Sequence, residues 1–260
     1  MAFMNGLKRF IARRGKPSRL FTDNGTNFTG SYRELTELFD FLKASDKEIH
    51  NFLAQQNISW SFLPPRSPHH GGLWESAIKM TKLHLKKAMR STVLTYEGMN
   101  TILIQIEACL NSRPLTPLTS NPNNLNTLTP SHFLIGDNLL ALPELDIHHL
   151  PTNRLNIYQK MSTVVQSFWH RWSQEYLAEL QNRVKWQEGR QRSLQPGDMV
   201  IIKDNQLPPQ YWRMARVTEI HPGQDGRVRV VSLRTARGVT KRAVTQLCLL
   251  PMEDPSSNLD

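Results

Sequence analysis

The chain has 260 residues, which corresponds to roughly two domains at about 150 residues each. Hydrophobic residues make up 39% and charged residues 21% of the sequence, a balance that supports a folded core and excludes wholesale disorder. The formal net charge of +10 indicates a polyanionic partner, with nucleic acid first and an anionic membrane surface second. Two cysteines exclude a disulfide scaffold. No apolar run reaches the ~18–20 residues of a membrane span, and the first 15 residues lack the continuous apolar stretch of a secretory signal, so we expect a reducing intracellular compartment.

The spacing of apolar residues predicts alternating helices and strands in the first 111 residues. Helical spacing is found in four stretches, residues 1–16, 31–55, 73–90 and 95–111. Short strands are predicted at two places, residues 20–21 and residues 58–62. Between them, the prolines and glycines from Pro64 to Gly72 predict an irregular loop.

The remaining residues change character twice. Residues 112–155 are rich in proline and are predicted to form an ordered but irregular connector, and residues 156–187 are predicted to form one long helix. The segment 188–252 has the pattern of short strands, predicted at Met199–Lys203, Trp212–Ile220, Arg227–Arg234, Val239–Val244 and Gln246–Leu250. Five such strands in about 55 residues predict a small closed β-barrel.

Two carboxylates stand at places that suit a divalent metal. Asp23 follows a predicted strand in a turn of small residues, and Glu75 begins a predicted helix after a glycine-containing loop. Mg²⁺ prefers hard oxygen ligands and leaves positions for water and phosphate. A simpler interpretation is favoured for either residue alone, because Asp before Asn-Gly is a common turn former and Glu in a first helical turn complements the helix dipole.

Basic residues form two candidate phosphate-binding surfaces. Lys79, Lys82 and Lys86 follow Glu75 at helical spacing and share one face, which is either a solvated cationic face or a path for phosphates. Residues 183–250 contain 13 Lys and Arg against 5 Asp and Glu, and this excess favours salt-sensitive binding to phosphates over a merely charged exterior. The arginines that we single out there are Arg213, Arg227 and Arg229. Alternation in the run Arg-Val-Arg-Val at 227–230 predicts both arginines on one face and both valines on the other.

Longer motifs carry a resemblance to a known family. The segments FTDNGTNF at 21–28 and PPRSPHHGGLWESAIK at 64–79 resemble the retroviral-type integrase core, which has a ribonuclease H-like fold. The segments LNSRPLTPL, LTPSHFLIG and PPQYWRMARVTEIHPGQDGRVRVVSLRT look like the integrase region of Bel/Pao-type LTR retrotransposons. The resemblance covers residues 7–250, and the motifs occur in the family's order.

The resemblance implies a site, a fold and partners. In that family three carboxylates hold two Mg²⁺ (or Mn²⁺) ions for polynucleotidyl transfer, and Asp23 and Glu75 match the second and third carboxylates. Asn27 matches the asparagine beside the site, and Lys79 and Lys82 lie on the helix that contacts DNA. The implied α/β architecture is an incomplete ribonuclease H-like core at 1–111, the connector, the long helix and a Src-homology 3-like barrel. DNA is the expected partner, together with possible homo-oligomers and a nuclear location; no membrane and no small-molecule substrate are expected.

One departure from the family decides what activity we expect. Asp23 and Glu75 are separated by 51 residues, more than in many retroviral integrases. Only 22 residues precede Asp23, and they predict a helix, so the first strands and the first catalytic aspartate have no counterpart here. We therefore expect an integrase fragment without strand transfer on its own. The alternatives are a non-catalytic DNA-binding relic or host-adopted protein, and a ribonuclease H-like nuclease of another kind.

Overall fold

The architecture comes from a computed structural model of the chain. It describes residues 2–22, 25–45, 58–62, 68–89, 92–119, 121–142, 144–147, 150–187 and 194–251. The chain is a mixed α/β protein and forms two compact units, Met1–Lys79 and Met80–Asp260. The boundaries that we predicted at residues 111, 155 and 187 stay predictions.

The first unit is built around one βαβ element. Its elements are helix α1 (Ala2–Arg14), strand β1 (Arg19–Thr22), helix α2 (Thr26–Ser45) and strand β2 (Ser59–Phe62). The two strands are parallel, with Arg19 opposite Ser59 and Thr22 opposite Phe62. A crossover segment that contains a helix is what parallel strands require. Helix α2 begins five residues before the predicted start at residue 31, and the predicted helical residues 46–55 lie outside the described residues.

Aromatic rings hold this unit together. The rings of Phe3 and Phe28 meet edge to face with centroids 4.8 Å apart, and Tyr32 lies against Trp60 at 5.8 Å. The indole Nε1 of Trp60 donates a hydrogen bond of 2.8 Å to Oγ1 of Thr22, which fastens the end of β1 to β2. Packing between aromatic rings and one side-chain hydrogen bond therefore fix helices and strands to one another.

Helix α3 (Pro68–Met89) corrects the predicted loop at 64–72. The helix begins at Pro68, so the prediction is wrong for residues 68–72, while residues 63–67 lie outside the described residues. Proline suits the first helical position, because its fixed φ is already helical and its missing N–H has no partner there. The same residue that interrupts a helix interior starts this one.

The second unit contains a helical core. Helix α4 (Tyr96–Asn111) is capped by Thr95, whose hydroxyl accepts a hydrogen bond of 3.1 Å from the amide of Gly98. The long helix α6 (Ile157–Gln187) packs against α4 and the end of α3. The buried apolar side chains of this core are Ala88, Ile102, Ile106, Cys109, Val164, Val165, Phe168, Trp169 and Trp172.

Short elements punctuate the proline-rich connector between α4 and α6. Strands β3 (Thr116–Pro117) and β4 (Thr127–Leu128) pair antiparallel, and helix α5 (His132–Ile135) and the 3₁₀ helix Thr152–Arg154 follow them. Each is four residues or shorter, because the prolines remove backbone donors and fix φ.

All five predicted strands of the C-terminal segment are present. They are β5 (Met199–Ile202), β6 (Met214–Pro222), β7 (Val228–Thr235), β8 (Gly238–Ala243) and β9 (Leu247–Leu249). They form one antiparallel sheet in the order β8-β7-β6-β5-β9. The closed barrel that we predicted is wrong for the described residues, because no ladder joins the edge strands β8 and β9.

The open sheet is nevertheless strongly curled. A flat five-stranded sheet would hold its edge strands four spacings of about 4.8 Å apart, or roughly 19 Å. The chain leaves β8 at Ala243 and enters β9 at Leu247 through the 3₁₀ helix Val244–Gln246, and four residues reach at most roughly 14 Å. The connection between β8 and β9 therefore bends the sheet without pairing its edge strands. The alternation of residues along the strands does not distinguish such a curled open sheet from a closed barrel.

Both faces of the sheet are covered near β5. The concave face buries an apolar cluster of Val200, Ile202, Ala215, Val217, Val231, Leu233 and Leu247. The opposite face places Met199 and Ile201 in contact with Leu177 and Leu180 of α6. The long helix thus packs against α4 with one part of its length and against the sheet with another.

Candidate nucleic-acid interface

The expected metal ligands fall largely outside the described residues. Asp23 and the side chain of Glu75 are not among them, although the helix α3 includes position 75. The strand end before Asp23 is described: Thr22 is buried and lies opposite Phe62 in the parallel ladder. In the part of the chain that the structure describes, no group of three or more His, Cys, Asp or Glu side chains could hold a metal ion. Two carboxylates suit Mg²⁺ or Mn²⁺ by their donor chemistry.

Asn27 lies in the first turn of α2, close to the strand end. Its side chain is exposed, and its backbone carbonyl accepts a hydrogen bond of 2.8 Å from Oγ of the buried Ser31. The helix that carries Asn27 therefore starts only four residues after β1 ends.

The three lysines of α3 occupy one exposed face of the helix, defined here as the lysine stripe (Lys79, Lys82 and Lys86). At 100° per residue they lie on the side of the helix opposite His84 and Ala88, both of which are buried. Nε2 of His84 is in hydrogen-bond contact with the carboxylate of Glu175 on α6, which fixes the rotation of this part of the helix. The burial of one face thereby determines that the lysine stripe points to solvent.

Two of the three predicted arginines of the sheet are paired with carboxylates. Arg213 lies 2.7 Å from the carboxylate of Asp204. Arg229 binds Asp225 through both guanidinium nitrogens, at 2.7 and 2.9 Å. The hydrogen bond from Arg229 lowers the pKa of Asp225, so this carboxylate stays ionised. A phosphate at either arginine competes with an internal partner.

Arg227 differs from these two. It is exposed, and no ion pair of its side chain occurs among the described residues. Arg237 and Lys241, on the turn before β8 and on β8 itself, are likewise exposed. Arg227, Arg237 and Lys241 are therefore exposed cations that no carboxylate among the described residues neutralises.

The predicted alternation at 227–230 holds only in part. Both arginines are exposed, and Val228 packs against the concave core, but Val230 is 37% exposed. The ladder between β6 and β7 shifts its register between His221 and Pro222. Such a bulge moves the following side chains to the other face, so the expectation that both valines share a face is wrong.

Arg216 and Arg234 belong to the 13 basic residues of 183–250, but both have structural roles. Arg216 is buried and donates hydrogen bonds to the carbonyls of Gly197 at 2.8 Å, Asn124 at 3.2 Å and Asn121 at 3.3 Å. Arg234 donates to the carbonyl of Pro122 at 2.7 Å. Burial lowers the pKa of Arg216, followed in effect by the charge of Arg234. These arginines fasten the connector to the sheet.

A cavity of about 280 Å³ lies beside this junction. The connector forms one wall, and the segment before β6 and the turn between β7 and β8 form the other. Its lining includes Asn126, Asn138, Tyr211, Trp212 and Arg237. Sequence reasoning missed it because its two walls come from segments at least 70 residues apart in the chain. The available signal was that Tyr211 and Trp212 stand next to arginines in the sequence.

The C-terminal part of the chain matches a protein-family model. Residues 156–250 match the model of DUF5641, a family of unknown function. The matched stretch begins one residue before α6 and ends one residue after β9, so the helix and the sheet that pack together form one unit of sequence. No curated protein matches the chain. Among the described residues, no helix is long and apolar enough to cross a membrane.

Proposed function

We propose that the chain is a retrotransposon-type integrase polypeptide that binds DNA. In the intact enzyme, Asp23 and Glu75 would ligate Mg²⁺ (or Mn²⁺), which would supply the Lewis acid for polynucleotidyl transfer. The integrase-like motifs at 21–28 and 64–79 support this proposal together with one structural observation, the parallel register of β1 and β2. The partner is DNA, in a nuclear homo-oligomer.

The parallel register matters because it brings the ends of both strands to one edge of the sheet, where Thr22 and Phe62 lie opposite one another. Asp23 is the next residue after β1, and α3 begins six residues after β2 ends. In α/β folds, ligands bind beyond the carboxyl ends of parallel strands. An edge of this kind favours a metal site to which both integrase-like motifs, at 21–28 and 64–79, contribute.

The lysine stripe and the sheet supply candidate phosphate contacts. The stripe is exposed, and no acidic residue occurs between positions 76 and 90. The strand order of the sheet and the 3₁₀ helix before its last strand support a Src-homology 3-like fold. Exposed Arg227, Arg237 and Lys241 then make contacts to the DNA backbone that carry no sequence information.

DNA binding by the full chain tests the stripe. Fluorescence anisotropy with a labelled duplex measures affinity at several salt concentrations for wild type and for Lys79→Glu/Lys82→Glu. We expect weaker binding and a salt slope smaller by about 2, since each phosphate contact contributes about 0.9. The matched control is Lys8→Glu/Arg9→Glu, which makes the same charge change on the exposed face of α1. Equal losses in the two variants contradict a specific role of the stripe.

The metal arm of the same experiment separates an integrase from a non-catalytic DNA-binding protein. The variant Asp23→Asn/Glu75→Gln removes two negative charges, so in EDTA it binds DNA more tightly than wild type. With Mg²⁺ present the order reverses if the two carboxylates hold an ion between protein and phosphate. If the variant binds more tightly under both conditions, the metal site is absent and the non-catalytic alternative is favoured.

A further inference from the structure

The cavity beside the connector has the dimensions of a small ligand site. Its volume is about 280 Å³, just below the lower limit of ligand pockets, which span roughly 300–1,000 Å³. It lies wholly within Met80–Asp260. A cavity of this size suits one planar ring system with a short substituent and is too small for a dinucleotide or a long chain.

The floor of the cavity is rigid. Trp212 donates a hydrogen bond of 3.2 Å from its indole Nε1 to Oγ of Ser112. Its ring meets Trp169 with centroids 4.8 Å apart and Tyr176 at 5.6 Å. Trp172 is a further partner at 6.0 Å, so three rings of α6 and the residue that follows α4 hold this indole. A fixed floor reduces the ordering that a ligand must impose when it binds.

An exposed aromatic ring stands next to this floor. Gln210 has φ 67°, a left-handed backbone that is uncommon for a residue other than glycine. The following Tyr211 lines the cavity and is 49% exposed. Residues held in such backbone conformations cluster at ligand sites. Tyr211 can thus stack with a planar ligand, while Trp212 forms the fixed floor beside it.

The polar lining fits the edge of a nucleobase. Asn126 and Asn138 both line the cavity, and both are exposed. The Oδ1 atom of Asn138 accepts only a long hydrogen bond of 3.3 Å from Thr129 among the described residues. Each carboxamide presents a donor beside an acceptor, the pattern that matches the edge of a base.

The rim supplies a cation for phosphate. Arg213 and Arg237 both line the cavity, but Arg213 is already paired with Asp204 at 2.7 Å. Arg237 is exposed, and no side-chain ion pair of it is found among the described residues. Arg237 is therefore the available guanidinium, and phosphate is a ligand that it binds well.

We propose that this cavity binds a single nucleotide through its base. The base stacks on Tyr211, the carboxamides of Asn126 and Asn138 contact its edge, and Arg237 contacts its phosphate. The ligand is either a free mononucleotide or an unpaired nucleotide of a DNA strand, because a base inside a duplex is stacked and cannot enter. The assignment of a DNA strand as the source of this nucleotide rests on the proposed function.

The test uses the full chain and the fluorescent base 2-aminopurine, whose emission falls when it stacks. Two DNA probes carry it, one at an unpaired 3′ end and the other within the paired region. We expect the chain to quench the unpaired base and leave the paired base unchanged. Tyr211→Ala should lose most of the quenching and bind the unpaired probe about tenfold more weakly, whereas Tyr211→Phe retains both. The matched control Tyr96→Ala removes a tyrosine that is 87% exposed and outside the cavity.

Competition with small ligands tests two further points, the source of the nucleotide and the role of Arg237. Deoxyadenosine monophosphate should displace the unpaired probe, and inorganic phosphate at the same concentration should not. Arg237→Gln should weaken binding of the monophosphate several-fold and leave the affinity for deoxyadenosine unchanged. Equal quenching by wild type and Tyr211→Ala overturns the proposal, as does displacement by phosphate alone.

The outcomes for the cavity and for the proposed function are distinct. Salt-sensitive duplex binding without quenching of the unpaired base leaves the DNA-binding proposal standing and overturns the nucleotide site. Binding of the monophosphate without any duplex binding supports the nucleotide site and overturns the DNA-binding proposal.

Discussion

Residues 1–79 and residues 80–260 bury their apolar side chains to very different degrees. The second unit contains three buried apolar clusters, one between helices and two on the faces of the sheet. Among the described residues of the first unit, Leu7 is the one apolar side chain in the buried class, and Phe21 and Tyr32 are exposed. The first unit relies on aromatic edge contacts around a two-stranded sheet, and such a sheet is marginally stable by itself. We infer that the second unit sets the stability of the chain.

The lysine stripe on α3 and the C-terminal sheet also use positive charge differently. The lysine stripe carries its charge on a helix face, and no acidic residue occurs between positions 76 and 90 of the sequence. In the sheet, Asp204 and Asp225 neutralise Arg213 and Arg229, while Arg216 is buried in hydrogen bonds to the connector. A count of basic residues therefore overstates the charge available to a partner in the sheet. The difference shows that local pairing has to be known before a basic surface is assigned to DNA.

Removal of a buried ring tests the comparison of cores most strongly. Phe168 has no exposed surface, stacks near Trp172 at 6.4 Å and meets His84 edge to face at 6.1 Å. We expect Phe168→Ala to lower the free energy of unfolding of the second unit by about 3–5 kcal/mol. Urea denaturation with hydrogen exchange of the β5–β9 amides measures this loss.

The control for this prediction lies in the first unit. Phe28→Ala removes a half-buried ring that contacts Phe3, and we expect a loss of about 1 kcal/mol confined to β1 and β2. Equal losses from the two substitutions would mean that the first unit has a core as effective as that of the second.

Arg216 provides the next largest effect. Arg216→Met keeps the length of the side chain but leaves the carbonyls of Gly197, Asn121 and Asn124 without this donor. We expect a loss of about 2–3 kcal/mol in the free energy of unfolding, because hydrogen bonds to charged groups are the stronger ones. The measurement is the denaturation midpoint at constant pH.

Arg227→Met is its matched control, since it removes the same charge from an exposed position and should change stability by less than about 0.5 kcal/mol. If the two variants have the same midpoint, Arg216 does not join the connector to the sheet, and the comparison of charge use fails.

The sequence predicts those elements whose signal is local. The spacing of apolar residues in 156–187 is sufficient for helix α6, and the turn residues between the β-strands give all five strands of the sheet. The start of α3 at Pro68 was not predicted, because proline favours a first helical turn as well as a loop. The bulge that turns Val230 outward depends on how β7 pairs with β6. The spacing of apolar residues within β7 therefore does not predict it.

The candidate site likewise has a part that the sequence predicts and a part that it does not. Asp23 and Glu75 can be proposed from motifs that are continuous in sequence, and so can the lysine stripe. The pairing of Arg213 with Asp204 and the cavity between Asn126, Asn138 and Tyr211 depend on contacts between distant segments. Single-sequence reasoning identifies the residue types for such sites but does not supply their partners, because tertiary packing decides them.

The thiols give the smallest expected effect and report on the second unit alone, because both cysteines of the chain lie in it. Burial raises the pKa of Cys248 from 9.0 to about 11 and that of Cys109 to about 12. Below pH 9 both the folded and the unfolded chain hold these protons, so the thiols do not affect stability. Above pH 9 the unfolded chain releases them while the folded chain retains them, and stability falls as the pH rises toward 11.

We expect the contribution of Cys248 to this loss to be about 1 kcal/mol at pH 10. Denaturation of wild type and Cys248→Ala at pH 8 and pH 10 measures it: the stability difference between the two proteins should shift by that amount in favour of the variant. The comparison between two pH values cancels the packing lost with the sulfur, which is the same at both. An unchanged difference would show that the thiol reaches solvent in the folded state, and the apolar contact between Cys248 and α6 would then be too loose to set the stability of the second unit.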